Sequence, residues 1–551
     1  MNVGEMQRKL SEWSTQDKER KFYGLYDLLY DRDWLRLAHD YVKQNAGSVT
    51  AGCDGVNMAT FDENLEVNLQ RIIEELKSET FTPDPVRRVY IPKPNGKTRP
   101  LGIPAIKDRI VQEALRMALE PIFEADFSQY SFGFRPTRRT MDAVRYIQWS
   151  TTEKKKFFWV IEGDIASYFD TIYHPKLIRL LGRRVKDKKI LRLIWKFLRA
   201  GVMEKRTFRD TTLGTPQGGI ISPLLANIYL NELDRYMERY TSLPVGEKEK
   251  RRRQGIGNFT FSRYADDFVV LCNGGKRQAE DMREELHQFL KSKLRLELSR
   301  EKTKVTHLND GFNFLGFRIY RGLGGSGTTT KIVIPDEAID KVRVKIHIAL
   351  APATQKDSVN TKIAGLNRLI RGWCQYYQYT SKASTQFSQL GNELFWEMAH
   401  WLGRKFKIPM PVVMQRFKRD NTFVSGDLCL LKPTEFPSLK YQQRFFKPNP
   451  YLTQERVINR ENLPVESYWS GYEARPGMAD LRPLILERDE GVCQNCGIMV
   501  TSSTAEIDHI RPVRRYKRPI NATTLDNLWT LCKNCHQEKT KSDRQAESRM
   551  R

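Results

Sequence analysis

Two places in this chain end an apolar run on carboxylates. Phe158-Trp-Val-Ile-Glu-Gly-Asp164 closes on one aspartate, and Phe261-Ser-Arg-Tyr-Ala-Asp-Asp267 is interrupted by two. Alone, an Asp-Asp pair reads as an ordinary solvated turn, because aspartate favours turns. Together the two places suggest more. If their strands are neighbours, Asp164, Asp266 and Asp267 form a cluster that repels itself unless cations neutralise it. Two Mg²⁺ ions about 3.5–4 Å apart would do so, and such a pair serves phosphoryl transfer by activating an attacking hydroxyl and stabilising the leaving pyrophosphate.

A second constellation lies near the end of the chain. Cys493-Gln-Asn-Cys496 and Cys532-Lys-Asn-Cys535 are two CxxC pairs, the ligand set of a tetrahedral Zn²⁺ site. Cys53, Cys272, Cys374 and Cys429 are scattered singly, so the pattern is that of a metal site in a reducing compartment and not of a disulfide framework. Between the pairs stand Asp508, His509 and Asn527, with Arg511, Arg514, Arg515, Lys517 and Arg518 behind the histidine; His536 follows the last cysteine. The bland alternative is a zinc-stapled knuckle without chemistry. A third group, Arg368, Arg371, Trp373, Tyr376, Tyr377 and Tyr379, interleaves bases and aromatics, a composition suited to nucleobases and phosphates or simply to a packed helix.

These residues need scaffolding, and the chain is long enough to supply it. Its 551 residues suggest several domains, and 40% hydrophobic with 11% aromatic residues can bury real cores. Lys and Arg number 92 against 66 Asp and Glu, a formal charge of +26 that favours a polyanionic partner, nucleic acid above all. No stretch approaches the roughly 20 apolar residues that span a bilayer, and the N-terminal sequence lacks an apolar signal core, so a soluble intracellular protein is expected.

Along the chain, the first 80 residues read as helical with a loop at 46–55. Residues 86–104 read as two strands around Pro94-Asn95-Gly96. Helical spacing of Ile106, Ile110, Ala114, Leu115, Ala118 and Ile122 predicts a packed helix over 105–123. A buried strand is expected at 157–161 and a basic helix over 175–200. Residues 241–258 read as an exposed loop, and 312–320 and 331–334 as strands joined by a glycine-rich hairpin loop. That loop's G-x-G-x-x-G precedes a strand, so it offers no helix N-terminus to a pyrophosphate. Residues 335–405 read as helical with Phe387, Leu390, Leu394, Met398 and Trp401 on the core face, and 409–480 as irregular and proline-rich.

The order KPNGKTRPLGIPAIKDRIVQ, SFGFRPTRRT, EGDIASYFD, GTPQGGIISPLLANIYLNELD, RYADD, LELSREKTK and FNFLGF resembles the successive motifs of a group II intron-encoded reverse transcriptase and maturase. The resemblance covers most of 20–405. It implies an α+β multidomain chain built as a right-hand polymerase. Residues 1–85 would be an N-terminal extension and the start of the fingers, and 86–320 the remaining fingers and an antiparallel palm. A helical thumb that doubles as the maturase domain would occupy 321–408, and a small DNA-binding region with linker 409–480. Carried over residue by residue, Asp164, Asp266 and Asp267 would hold the Mg²⁺ pair. Phe169 would lie under the incoming sugar, Lys97 and Arg99 would clamp the triphosphate, Gln217 would lie near the templating base, and Lys302 would assist pyrophosphate departure. As a maturase, the chain would bind intron RNA through residues such as Arg368, Arg371, Trp373 and Tyr376.

Residues 481–551 resemble a zinc-stabilised ββα-metal HNH endonuclease. On that pattern His509 is the general base. Asp508 and His536 bind one Mg²⁺ or other divalent ion, and Asn527 orients His509. The expected partners are group II intron RNA, target double-stranded DNA, dNTPs and an RNA template with a DNA primer, in a bacterial cytoplasm at nucleoid DNA, with monomer and homodimer left open. A splicing cofactor that binds RNA without polymerising is the alternative.

Overall fold

In the computed structural model the described residues are 2–92, 98–204, 207–209, 213–215, 218–299, 301–324, 327–441, 449–453, 485–486, 488–489, 492–500, 505–510, 527–532 and 534–539. The side chains of Arg99 and His509 also fall outside the description, as do Lys97, Gln217 and the basic run 511–518 entirely. The chain divides into two units, Met1–Ile458 and Asn459–Arg551. No helix among the described residues is long and apolar enough to cross a membrane.

The first unit opens with α1 (Val3–Gln16), α2 (Arg32–Gln44), the short α3 (Met58–Asp62) and α4 (Leu65–Lys77). Hairpin strands β1 (Val86–Pro92) and β2 (Thr98–Ile103) lead into α5 (Ile106–Glu124), whose residues are almost all buried. A helix buried on every side must pair its charges. Arg109 does so through the carbonyls of Pro104, Gly47 and Thr50, and Glu124 accepts from Arg135.

Next come α6 (Thr140–Ser150), β3 (Trp159–Gly163), α7 (Tyr168–Thr171), α8 (His174–Leu181) and α9 (Lys188–Leu198). The single helix expected over 175–200 is therefore two. Long-range bonds pull residues 183–187 out of helical geometry: Phe22 N–H donates to Arg184 O at 2.8 Å, and Lys186 N–H to Phe22 O at 2.8 Å. Asp187 then caps α9.

After the short strands β4 (Val202–Glu204) and β5 (Thr207–Arg209) come α10 (Ser222–Thr241) and α11 (Val245–Arg253). The loop expected at 241–258 thus contains a helix, with no buried residue. Glu247 in its first turn and Lys250 to Arg253 in its last complement the helix dipole.

A four-stranded sheet joins β3 to β6 (Phe259–Tyr264), β7 (Asp267–Cys272) and β8 (Lys304–His307) in the order β6-β7-β3-β8, all antiparallel. Its inner strands read as unbroken apolar runs because both faces are covered, with α12 (Lys276–Phe289), α10 and α6 packed against it.

Residues 312–333 form a second sheet, β9 (Phe312–Phe314), β10 (Phe317–Gly324) and β11 (Gly327–Val333). The run expected as one strand over 312–320 breaks at Leu315-Gly316, where φ of +49° and +73° makes a two-residue hairpin turn. The glycines expected in a loop belong instead to the ladder, which pairs as far as Gly324 and Gly327.

Helices α13 (Asp336–Ala349), α14 (Val359–Tyr377), α15 (Ala383–Phe406) and α16 (Met410–Phe417) follow. Phe387, Leu390, Leu394, Met398 and Trp401 are all buried along α15. The sheet β12 (Lys418–Arg419), β13 (Thr422–Ser425) and β14 (Leu428–Cys429) then folds back. Val413, Phe423 and Leu430 enter the same core as α14, α15 and one face of the four-stranded sheet. The first part of the stretch expected to be irregular from 409 therefore forms regular elements, because its apolar residues complete that core.

The second unit is small. Strands β15 (Ala505–His509) and β16 (Leu528–Cys532) pair antiparallel, and a helix at 534–539 follows. Its described core comprises Cys493, Val500, Ala505, Leu531 and Cys535, with Ile485, Ile507 and Leu528 alongside.

Candidate functional site

Strand pairing brings the three aspartates together. Gly163 on β3 faces Phe268 on β7, so Asp164 continues β3 alongside Asp267. Tyr264 faces Asp267 across the β6–β7 hairpin, leaving Ala265 and Asp266 as its two-residue turn. Asp267 is exposed, while Asp164 and Asp266 are half-buried. The backbone of Asp164 is fixed from the far side, where its carbonyl accepts from Ser299 N–H at 2.8 Å. Its carboxylate meets Lys302, Nζ to Oδ2 at 3.0 Å.

Gly163 permits this approach because its face is filled by the Phe268 ring, and a Cβ there would lie 2.2 Å from Phe268 Cζ. Gly163→Ala is expected to push the ring and the Asp164 end of β3 apart. The expected cost is about 1–3 kcal/mol of stability and about 100-fold in phosphoryl transfer, read by thermal melting and primer extension. A variant with unchanged extension would mean that the carboxylates tolerate this displacement.

Ala265 carries φ of +59°, a left-handed conformation that costs a residue with a Cβ roughly 1–2 kcal/mol. Buried Arg263 holds it there. The guanidinium donates to Asp234 through Nε at 2.7 Å and Nη2 at 2.5 Å, and through Nη1 to Asn227 Oδ1 at 3.0 Å and Ala265 O at 2.8 Å. Asn227 Nδ2 in turn donates to Gly133 O at 2.8 Å, and the Gly133 backbone lies against the turn. Sequence reasoning missed these four residues although each sits in a quoted motif. The available signal was an arginine in a strand leading into the apolar run 268–272, which must be paired if buried.

Around this centre Phe169 is half-buried against the core, edge-on to Phe134 at 6.4 Å. Its carbonyl accepts from Thr215 N–H at 2.7 Å, tying it to the segment before Pro216. Gly218, just after Gln217, backs onto the Gly102 carbonyl of β2. Arg99 lies on β2, paired with Ile91.

The six basic and aromatic residues of α14 and the turn after it separate. Arg368 and Arg371 are exposed, three residues apart and so on one face. Trp373 packs half-buried against Tyr377 at 5.1 Å and Phe387 at 5.8 Å. Tyr376, 40% exposed, stacks on Phe317 at 5.0 Å and donates its hydroxyl to Leu315 O at 2.7 Å. Tyr377 likewise donates to Gly316 O at 3.2 Å, and Tyr379 packs against Tyr441. Tyr376 and Tyr377 thus tie α14 to the 315–316 turn.

In the second unit the sulfur atoms of Cys493, Cys496, Cys532 and Cys535 all lie within 4.8 Å of one another, with Cys496 and Cys532 at 3.7 Å. A tetrahedron with Zn–S bonds of about 2.3 Å has sulfurs about 3.8 Å apart, so the set fits zinc. Burial opposes the thiolate of Cys493, but hydrogen bonds from the backbone of Cys532, Cys496 and Asn495 outweigh it and bring the thiol down to about 6. The knuckle is seated on β16 by Gln494 N–H donating to Thr530 O at 2.8 Å. Asp508 on β15 faces Trp529 on β16, and its carboxylate lies 3.2 Å from Lys539 Nζ. His536 occupies the helix that also bears Lys539, and Asn527 is buried with its carbonyl accepting from Ile510 N–H at 2.7 Å.

The first unit thus sets a carboxylate-bearing hairpin on an antiparallel sheet beside a helical region, and the second carries four clustered cysteines on a small ββα fold. Residues 91–319 match the reverse transcriptase (RNA-dependent DNA polymerase) family, 339–419 the group II intron maturase-specific domain, and 493–542 the HNH endonuclease family. The chain is 44% identical to protein YkfC of Escherichia coli over 58% of its own length and 89% of that protein's. It is 35% identical to the group II intron-encoded protein LtrA of Lactococcus lactis over 92% of this chain and 93% of LtrA. It is 26% identical to the putative COX1/OXI3 intron 2 protein of Saccharomyces cerevisiae over 92% of this chain and 65% of that one. The chain belongs to the group II intron-encoded proteins, as a reverse transcriptase and maturase with an HNH endonuclease domain.

Proposed function

We propose that this protein binds its intron RNA, supports its splicing, and copies it into DNA at Asp164, Asp266 and Asp267 from a primer that its own HNH unit opens in target double-stranded DNA. The observation that carries the reading is the β3–β7 register, which sets Asp164 beside the Asp266–Asp267 hairpin with Lys302 on its carboxylate. The carboxylates at the adjoining ends of these paired strands are a donor set suited to divalent ions, for which the Lys302 ammonium on Asp164 is a competing cation. Bound there, Mg²⁺ supplies Lewis-acid activation of the primer 3′-hydroxyl and charge neutralisation at the leaving pyrophosphate.

The protein's own groups do the rest. Lys97 and Arg99 would clamp the triphosphate. Phe169 supports the sugar, and its ring leaves no room for a 2′-hydroxyl. Gln217 sits at the nascent pair, in a segment whose neighbour Gly218 packs against β2. Lys302 holds Asp164 until substrate binds, then faces the departing pyrophosphate. Arg368 and Arg371 contact RNA phosphates, with Trp373 and Tyr376 setting the helix that presents them. Primer extension on an RNA template with dNTPs and Mg²⁺ tests the polymerase reading. A wild type that binds RNA but extends nothing would leave a splicing cofactor alone.

In the second unit, zinc held by the four cysteines staples the fold. His509 takes a proton from the attacking water and Asn527 orients it; Asp508, now paired with Lys539, and His536 would hold a divalent ion, which when bound would supply charge neutralisation at the scissile phosphate. His509→Ala is expected to abolish second-strand nicking of target DNA while primer extension persists. Loss of both activities would make the tail a brace for the whole protein.

A further inference from the structure

We propose that Arg263, with Asp234 and Asn227, is a positioning residue of the polymerase centre, selecting the one turn conformation in which Asp266 meets substrate. The inference rests on the polymerase reading above and adds to it a device that sets the carboxylate's direction.

The turn has two residues, Ala265 and Asp266, between the paired Tyr264 and Asp267. Two-residue hairpins close as type I′, with positive φ at both central residues, or type II′, with positive φ at the first only. The two interconvert by rotating the peptide plane between those residues. Here Ala265 has positive φ and Asp266 does not, so the turn is of the II′ kind. That peptide plane carries Ala265 O, and Arg263 Nη1 donates to it at 2.8 Å. In a trans peptide the carbonyl and the next N–H point opposite ways, so holding Ala265 O inward turns the N–H of Asp266 away from the clamp.

The clamp is itself immobile. The side chains of Arg263 and Asp234 are both 0% exposed, and the remaining Arg263 bonds go to Asp234 and Asn227. The backbone of Arg263 is fixed too: its N–H donates to Tyr130 O at 2.9 Å, and its carbonyl accepts from Phe132 N–H at 2.8 Å. The same segment continues to Gly133, where a Cβ would lie 2.3 Å from Ala265 N, so the far side of the turn is closed by backbone. A buried ion pair contributes little to stability over a well-packed apolar pair, which directs attention to what it specifies. Here it specifies the peptide plane that carries Asp266.

The experiment compares Arg263→Lys, Asn227→Ala and Arg263→Lys/Ala265→Gly with wild type. Primer extension gives kcat, KM for dNTP and the Mg²⁺ concentration for half-maximal rate; template–primer affinity and thermal melting are followed in parallel. Lysine keeps a charge for Asp234 but lacks the fork that reaches Ala265 O. Arg263→Lys is expected to lower kcat about 100-fold and raise the Mg²⁺ requirement, with KM and template–primer affinity within about two-fold. Asn227→Ala, the milder change, should lower kcat about ten-fold. Glycine adopts left-handed φ freely, so adding Ala265→Gly to Arg263→Lys should recover about ten-fold in kcat. Unchanged kcat and Mg²⁺ dependence in Arg263→Lys would overturn the proposal. So would a loss that glycine does not relieve and that falls equally on affinity and melting. If Arg263→Lys does not fold, Asn227→Ala decides, and wild-type kcat there overturns it. An inactive wild type, or an active Asp266→Ala, would instead sink the polymerase reading itself.

Discussion

Asp266→Ala is expected to lower primer extension on RNA at least about 1,000-fold while leaving the protein folded and able to bind RNA. The magnitude follows from the site's construction. Removing one preorganised group at a charge-developing centre costs about 100- to 1,000-fold, and a carboxylate at a metal pair serves both the attacking and the leaving oxygen. Asp266 is half-buried at the tip of a turn and outside both hydrophobic cores, so its loss leaves no cavity. The control is nicking of target DNA, whose residues lie in the other unit and should be unaffected. Extension within ten-fold of wild type would show that the reaction does not depend on this carboxylate, and the proposed centre would fall.

The second large effect concerns zinc. Cys493→Ser, or prolonged chelation, is expected to unfold the C-terminal unit and abolish nicking. The described core of that unit is a handful of residues, two of them zinc-site cysteines. So small a core needs a staple, and structural zinc in small domains supplies about 10–16 kcal/mol of apparent folding free energy. Melting should lose a transition belonging to residues 459–551, and primer extension should persist in the same preparation. A serine variant that melts and nicks like wild type would mean the sulfur cluster holds nothing the fold requires.

Much of this was legible in the sequence, unevenly. The β3 and β7 strands, the α5 and α15 faces and the cysteine pairs follow local rules of period, turn chemistry and ligand spacing, and the structure places them accordingly. The misreadings arose where distant contacts overrode local pattern. Residues 183–187 leave helix because Phe22 bonds their backbone. Residues 409–430 read as irregular, within a small DNA-binding region and linker, yet they form regular elements because Val413, Phe423 and Leu430 fill a core built by α14 and α15. On α14 composition grouped arginines with aromatics. The structure separates them, because the tyrosine hydroxyls are used on the 315–316 turn.

By itself the sequence determined which groups can do chemistry: three aspartates at strand ends, four cysteines in two pairs, a histidine beside an aspartate. These are properties of residue type and spacing, and no partner is needed to read them. Only the tertiary structure decided how the aspartates are aimed. The buried Arg263 comes from a strand and Asp234 and Asn227 from the helix before it, about 30 residues away, while Gly133 comes from a segment 94 residues from Asn227. Their roles exist only once burial removes water as an alternative partner. A guanidinium taken out of water must bind whatever acceptors the fold brings near it, and here the fold brings the Ala265 carbonyl of the turn that carries Asp266.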